Sequence, residues 1–156
     1  MKSKTLQQKV ITTPERKNVA LVAHDNMKPA LVEWADKHCD KLIKHNLMAT
    51  GTTGNLIQKQ LKVPVQSLIS GPLGGDQQLG GLIAEGKIDV LIFFWDPFEP
   101  MPHDPDIKAL LRVAAVWNIP IACSVSSANF LVTSPLFENE FERQIPDYEK
   151  YLQERL

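Results

Sequence analysis

Short apolar runs alternate along this chain with segments in which apolar residues recur at helical spacing. Residues 18–23 and 89–95 are apolar at almost every position, which is typical of strands buried on both faces of a sheet. Shorter runs at 47–49, 65–69 and 119–123 fit the same interpretation. The pattern therefore predicts five strands.

Helices are predicted between and after these strands, because apolar residues there repeat on one helical face. Strands that alternate with helices predict one α/β domain, a three-layer sandwich with a five-stranded, mainly parallel sheet flanked by helices. We assign this domain to residues 17–156, and we expect residues 1–16 to be a flexible N-terminal extension. The predicted helices cover 27–38, 55–61, 106–117, 126–132 and 147–156, and one more begins with Asp76 as its cap.

Composition and charge exclude several classes of protein. The net charge is −1, and the basic residues are scattered rather than clustered, which argues against a nucleic-acid partner and favours solvated helix faces. The longest apolar run, 90–95, is far shorter than the roughly 20 residues of a membrane-spanning helix. The N-terminus lacks the apolar segment of a secretory signal, and Cys39 and Cys123 stand apart as single thiols. These features predict a cytoplasmic protein with neither a membrane nor a nucleic-acid partner.

Candidate chemistry lies in the segments that directly follow the predicted strands. In parallel α/β sheets, ligands bind at the carboxyl ends of the strands. Four strands are followed by polar or glycine-rich segments, so we expect these segments to form one site. They contain His24 and Asp25, then 50–54, then 70–76, and finally Asp96 with His103 and Asp106.

The segment Thr50-Gly51-Thr52-Thr53-Gly54 falls between a strand and a helix. Glycines allow a tight turn that exposes backbone N–H groups, and the N-terminus of a helix favours an anion. The segment therefore suits a phosphate, although an ordinary turn with Thr53 as a helix cap would look the same. It lacks the Gly-Lys-Ser/Thr ending of a nucleotide-binding P-loop.

The segment 70–76, Ser-Gly-Pro-Leu-Gly-Gly-Asp, is a second glycine-rich loop. Ser70 and Gly71 could complete the phosphate site, since glycine permits close backbone approach. Lys28 could supply the positive charge that both loops lack. The plainer alternatives are a flexible connection and a solvated surface lysine.

Four carboxylates, Asp25, Asp76, Asp96 and Asp106, are predicted near the same strand ends. Each could simply cap a helix. Grouped beside a bound phosphate, however, they would repel one another, which should raise the pKa of some of them. Asp76 borders the second loop and is the best candidate for a general base.

Two histidines, His24 and His103, lie in the predicted site loops and could polarise a carbonyl or move a proton. Loop histidines are also commonly just exposed to solvent. No HxH, HxxxH or HxxE spacing occurs, so no metal site is predicted.

Several of these segments resemble the methylglyoxal synthase family. They are 20–25 (ALVAHD), 49–55 (ATGTTGN), 70–78 (SGPLGGDQQ) and 93–97 (FFWDP) with 102–105 (PHDP). The resemblance implies conversion of dihydroxyacetone phosphate into methylglyoxal and inorganic phosphate, with no metal or organic cofactor. It also implies a homohexamer, with Arg112 and Arg155 as possible contacts between subunits or within the site.

The resemblance implies roles for individual residues as well. Asp76 would be the catalytic acid/base and His103 would act on the carbonyl side, with Asp25, Asp96 and Asp106 as the remaining site acids. Together with the loop analysis, the predicted catalytic residues are Asp76, His103, Asp96 and Asp106. The predicted substrate-binding residues are His24, Asp25, Lys28, Thr50, Gly51, Thr52, Thr53, Ser70, Gly71 and His103. Inorganic phosphate is expected to inhibit as well as to be released, because it would occupy the same loops.

Two other functions remain open at this point. The fold also resembles the allosteric domains of carbamoyl-phosphate synthases, which bind effectors without catalysis but have no use for Asp76, Asp96 and His103 together. A phosphosugar isomerase could form the same enediolate intermediate. The geometry of the phosphate loops would separate the two reactions.

Overall fold

The computed structural model describes residues 6–99 and 104–156. Within them the chain forms a five-stranded sheet, a separate two-stranded sheet and the helices that pack around them. Short 3-10 turns lie at Asp25–Met27 and Gly71–Leu73. The elements are β1 Gln8–Thr13, β2 Asn18–Ala23, α1 Lys28–Lys37, α2 Cys39–Leu42, β3 Asn46–Thr50, α3 Thr53–Leu61, β4 Val65–Leu68, α4 Gly75–Ala84, β5 Val90–Phe94, α5 Asp104–Val116, β6 Ile121–Ala122, α6 Val125–Thr133, α7 Pro135–Glu138, β7 Phe141–Pro146 and α8 Tyr148–Gln153.

The five-stranded sheet has the order β4-β3-β2-β5-β6. Every neighbouring pair is parallel, with β2 at the centre between β3 and β5. The predicted α/β fold is therefore confirmed, and the sheet is wholly rather than mainly parallel. The central strands are continuous apolar runs because helices cover both of their faces.

Two apolar cores make the fold a three-layer sandwich. Alternate side chains of a strand point to opposite faces, so Val19 and Leu21 enter one core while Ala20 and Val22 enter the other. The first core is completed by α1, α3 and α6, and the second by α4 and α5. Full burial of each Leu or Ile in these cores contributes about 2 kcal/mol of hydrophobic free energy.

The second sheet corrects the expected flexible extension. Gln8–Thr13 pairs antiparallel with β7, from Gln8 opposite Pro146 to Thr13 opposite Phe141. The buried Arg143 of β7 donates to Thr13 Oγ1 at 3.0 Å and to the carbonyl oxygen of Trp117. Backbone pairing with a distant partner, rather than an apolar run, orders 8–13. Residues 1–5 of the predicted extension lie outside the described residues.

Lys17 also departs from the expected solvated surface, since its side chain is fully buried. Its ammonium donates to the carbonyl oxygens of Glu15, Phe137 and Asn139 at 3.3, 3.1 and 2.8 Å. These bonds tie the turn between β1 and β2 to the segment between α7 and β7. Burial lowers the pKa of Lys17, because the charged form loses hydration.

Beside Lys17 lies a buried histidine, His45, which is 4% exposed. Its Nδ1 accepts the backbone N–H of Lys17 at 2.9 Å, and its ring meets the Phe137 ring edge-on at 4.4 Å. Burial, helped by the charge of Lys17, lowers the pKa of His45 from 6.5 to about 4. The folded protein therefore holds this imidazole neutral where an unfolded chain would protonate it.

This lowered pKa predicts a loss of stability in acid. Between pH 6.5 and about 4 the unfolded chain binds a proton at His45 that the folded chain does not, so stability falls as the pH falls through this window. We expect the free energy of unfolding of the wild type to fall by about 1–3 kcal/mol more than that of His45→Asn between pH 7 and pH 4. Asparagine can still accept the Lys17 N–H, and the carboxylates titrate in both proteins. Urea denaturation across this pH range measures the difference, and parallel stability curves would contradict the prediction.

Candidate active site

The loops that follow β4, β3, β2 and β5 lie along one edge of the sheet, as parallel pairing requires. A cavity of about 400 Å³ opens among them. Of the predicted site residues, those that line it are His24, Asp25, Lys28, Thr50, Gly51, Thr52, Thr53, Ser70, Gly71 and Asp76. A larger hollow of about 650 Å³ at the opposite, amino ends of the strands contains none of them. The structure thus gathers three of the four predicted sequence segments into one cavity.

The first loop turns at Gly51, whose φ of +56° is costly for a residue with a side chain. Its N–H donates to the carbonyl oxygen of Leu68 at 3.1 Å. A Cβ on Gly51 would lie 2.8 Å from Ser70 Oγ, so this glycine lets the first loop approach the second. The two glycine-rich segments therefore form a single surface.

Helix α3 begins directly after this turn, with Thr52 rather than Thr53 at its N-cap and no side-chain cap hydrogen bond. The first N–H groups of a helix have no acceptor within the helix, so they can bind an anion. Thr53 is fully buried, and its Oγ1 has no hydrogen-bond partner among the described residues. The helix terminus, more than the Thr53 hydroxyl, therefore suits this loop to a phosphate.

The second loop is folded around Ser70, whose carbonyl oxygen accepts the N–H groups of Leu73 and Gly75, both at 3.0 Å. A Cβ on Gly75 would clash with the carbonyl oxygen of Ile69 and lie 2.9 Å from the carbonyl carbon of Ser70. Helix α4 can thus begin tightly against the loop. Its N-cap is Gly74, and the expected cap residue Asp76 lies instead within the first turn, beside Gly71.

Lys28 joins the loop after β2 to the loop after β3. Its Nζ lies 2.8 Å from Asp25 Oδ1 and donates to Thr52 Oγ1 at 3.0 Å. The hydrogen bond and charge of Lys28 lower the pKa of Asp25, so this carboxylate is not among those whose pKa is raised. Lys28 is the cation that both glycine-rich loops lack.

His24 is held in place by β5. Its backbone N–H donates to the carbonyl oxygen of Phe94 at 3.2 Å, and its ring meets Phe93 edge-on at 5.3 Å. Its Nδ1 accepts the backbone N–H of Asp96 at 3.1 Å. An accepting Nδ1 carries no proton, so the neutral ring carries its proton on Nε2, where it can be donated.

Two of the predicted catalytic acids do not line the cavity. Asp96 is buried and accepts hydrogen bonds from the Phe98 N–H at 2.9 Å and from Asn26 Nδ2 at 3.1 Å. These bonds lower the pKa of Asp96 as well. Asp106 Oδ1 accepts a hydrogen bond from Gln77 Nε2 at 3.0 Å. Asp96 organises the loop after β5, and the catalytic roles of both acids stay predictions.

His103 lies outside the described residues. Several residues that line the cavity were not predicted from the sequence, among them Phe93 and Glu99. Glu99 follows the same strand as Asp96, so the rule of strand ends would have included it had it been applied to the whole loop. Among residues 6–99 and 104–156, no three His, Cys, Asp or Glu side chains are grouped to hold a metal ion, and no helix is both long and apolar enough to span a membrane.

Comparison with known proteins agrees with this fold. The family model described as MGS-like domain matches residues 30–123, more than half of the chain. The fold and the cavity thus define a protein with an MGS-like domain.

Relatives that are more than half identical to this chain define a narrower family. The methylglyoxal synthase of Cellvibrio japonicus (strain Ueda107) is 63% identical over 142 residues, which cover 91% of this chain and 92% of the relative. That of Vibrio parahaemolyticus is 57% identical over 151 residues, 97% of this chain and 100% of the relative. The crystal structure of methylglyoxal synthase from Elizabethkingia anophelis NUHP1 superposes with a TM-score of 0.85 at 56% identity, covering 93% of this chain and 95% of that one. The chain belongs to the methylglyoxal synthase family of lyases.

The tight start of α4 predicts opposite effects for two Gly→Ala substitutions in one helix. Gly75→Ala should lower the free energy of unfolding by about 2 kcal/mol, because the new methyl group meets backbone atoms that cannot move independently. Gly81→Ala should raise it by roughly 0.5–1 kcal/mol, since nothing lies within 4 Å and alanine favours the helix. Urea denaturation of both variants tests this, and equal effects would show that α4 does not begin as tightly as described.

Proposed function

We propose that this chain is a carbon–oxygen (phosphate) lyase that converts dihydroxyacetone phosphate into methylglyoxal and inorganic phosphate. The observation that carries the proposal is the convergence of two glycine-rich loops and the Lys28 ammonium on one cavity that also contains the Asp76 carboxylate. The loops suit the phosphate, and the carboxylate suits removal of a proton from the carbon skeleton. The reaction proceeds through an enediol or enediolate phosphate.

The phosphate occupies the part of the cavity formed by the loops that follow β3 and β4. The start of α3 and the backbone of the second loop offer N–H groups, and Lys28 offers a positive charge. Asp25 offsets part of that charge through its 2.8 Å ion pair with Lys28. The phosphate is thus bound mainly by oriented dipoles, which also allow it to leave as a product.

Asp76 acts as the base, and His24 supports the carbonyl. The carboxylate removes a proton from the hydroxymethyl carbon, and the C–H electrons form a carbon–carbon double bond with the former carbonyl carbon. The carbonyl oxygen gains negative charge at this step, and an Nε2–H on neutral His24 can stabilise it by donating a hydrogen bond. His103 serves the same oxygens in the proposal carried over from the family resemblance.

Elimination follows when the enediolate expels phosphate from the neighbouring carbon. The hydroxyl on the former hydroxymethyl carbon loses its proton and becomes the aldehyde carbonyl, the double bond moves to the carbon that carried the phosphate, and the carbon–oxygen bond to phosphate breaks with its electrons leaving on the phosphate. The resulting enolate takes a proton on that terminal carbon to give methylglyoxal. This requires the breaking bond to stand perpendicular to the enediolate plane, an orientation that phosphate contacts from two loops and Lys28 can impose. An isomerase must hold the same bond in the plane. No metal or organic cofactor is needed.

The proposal also covers the oligomeric state and the cellular compartment of the protein. The chain acts in the cytoplasm as a homohexamer, as the family resemblance implies. The exposed apolar side chains beside the cavity, Leu73 at 79% and Phe98 at 93%, support contact with another copy.

One assay separates the lyase from its alternatives. Incubated with dihydroxyacetone phosphate, the protein should release methylglyoxal and inorganic phosphate in equal amounts, and added phosphate should inhibit competitively. Methylglyoxal is measured after derivatisation, and inorganic phosphate is measured as it is released. Glyceraldehyde 3-phosphate as the sole product would instead identify an isomerase, and no turnover with retained binding would identify a regulatory domain.

Removal of the proposed base should separate binding from turnover. Asp76→Asn should bind phosphate about as well as the wild type, because it leaves the loops intact, and should lose about 10²–10⁴-fold in kcat, the usual contribution of a general base. The matched control is Asp36→Asn, an exposed position on α1, which should keep wild-type kcat. Near-normal turnover of Asp76→Asn would show that another group is the base.

A further inference from the structure

A single side-chain amide holds two carboxylates at the cavity edge. Asn26 lies in the short turn after β2, and its Nδ2 donates to Asp96 Oδ2 at 3.1 Å and to Glu99 Oε1 at 2.5 Å. An amide nitrogen has two hydrogens, so both are used by these two acceptors. Asp96 and Glu99 carry like charges, and this amide lies between their carboxylates.

Sheet order sets where Glu99 lies relative to the phosphate loops. Those loops follow β4 and β3, His24 follows β2, and Glu99 follows β5, in the spatial order β4-β3-β2-β5. Glu99 lines the same cavity as these loops. The cavity therefore has N–H groups, Lys28 with its partner Asp25, and Asp76 at one end, and the Glu99 carboxylate at the other, with His24 between them.

We propose that Glu99 is a specificity-determining residue that admits phosphate esters with an uncharged far end and rejects those that carry a second anionic group there. The proposal rests on the phosphate site of the proposed function. A ligand whose phosphate is held by the glycine-rich loops directs its other end toward Glu99. A hydroxyl at that end meets no repulsion and can donate a hydrogen bond to the carboxylate, whereas a carboxylate or second phosphate is repelled.

Asn26 is the positioning residue in this arrangement. Both it and Glu99 are exposed, so neither is held by packing. Without the amide, repulsion from Asp96 would drive the Glu99 side chain outward into solvent and away from the ligand. Because solvent reaches these charges, the discrimination is moderate, about three- to tenfold in affinity, and weakens with added salt.

A matched pair of probes tests the charge rule directly. Glycerol 3-phosphate and 3-phosphoglycerate are three-carbon phosphate esters that differ at the far end, where one has a hydroxymethyl group and the other a carboxylate. Isothermal titration of the full chain gives both dissociation constants at low ionic strength. Glu99→Gln should tighten 3-phosphoglycerate binding by about three- to tenfold and leave glycerol 3-phosphate within about twofold.

Three further variants separate the effect of the Glu99 charge on probe binding from a structural effect of the substitution. Glu99→Asp retains the charge and should retain the wild-type preference. Glu85→Gln removes the same charge at the end of α4, where Glu85 pairs with Lys87 at 3.1 Å, and should change neither probe. Asn26→Ala should move the preference in the same direction as Glu99→Gln, and the double variant should go no further than Glu99→Gln alone.

The outcomes distinguish this inference from the proposed function. A wild type that binds glycerol 3-phosphate, together with a Glu99→Gln variant whose preference is unchanged, would overturn the role of Glu99 and leave the phosphate site standing. An equal shift for both probes would overturn it as well, because charge at the far end would then not be what Glu99 senses. A wild type that binds neither probe would overturn the phosphate site and this inference together.

Discussion

Parallel pairing of β4, β3, β2 and β5 is the constraint on which the site depends. Because all four strands run in one direction, the loops that follow them meet at one edge of the sheet. Gly51 then lets two of those loops touch, since any Cβ there would press on Ser70 Oγ. Two helix N-termini, those of α3 and α4, consequently face one cavity. The cavity needs no insertion or added domain, because the sheet itself brings its parts together.

Charges within this cavity are arranged by short contacts between neighbouring loops. Lys28 is held by Asp25 and Thr52, and Asp96 is held by Phe98 N–H and Asn26. Hydrogen bonding lowers the pKa of Asp25 and of Asp96, so these two carboxylates are stabilised as anions rather than poised as bases.

A cluster of buried polar side chains stabilises the end of the molecule away from the site. Lys17, His45 and Arg143 are buried there, and their hydrogen bonds join the β1–β7 sheet and the α7–β7 segment to the main domain. Buried polar groups are costly unless they are paired, so this region tolerates substitution poorly. Its acid sensitivity comes from His45 and is separate from the chemistry of the cavity.

The sequence by itself determined the parallel sheet, the main helices and the glycine-rich loops, because each is encoded by a local pattern. Burial on two faces makes the runs at β2 and β5 apolar, and strand ends locate the loops without knowledge of any contact. Tertiary structure decided what depends on distant partners. Strand β1 is formed by backbone hydrogen bonds to β7. The N-cap of α4 is Gly74 rather than the expected Asp76, because the second loop folds around Ser70. The hydrogen bond from Asn26 to Glu99 joins residues 73 positions apart, so no local pattern could have predicted that contact.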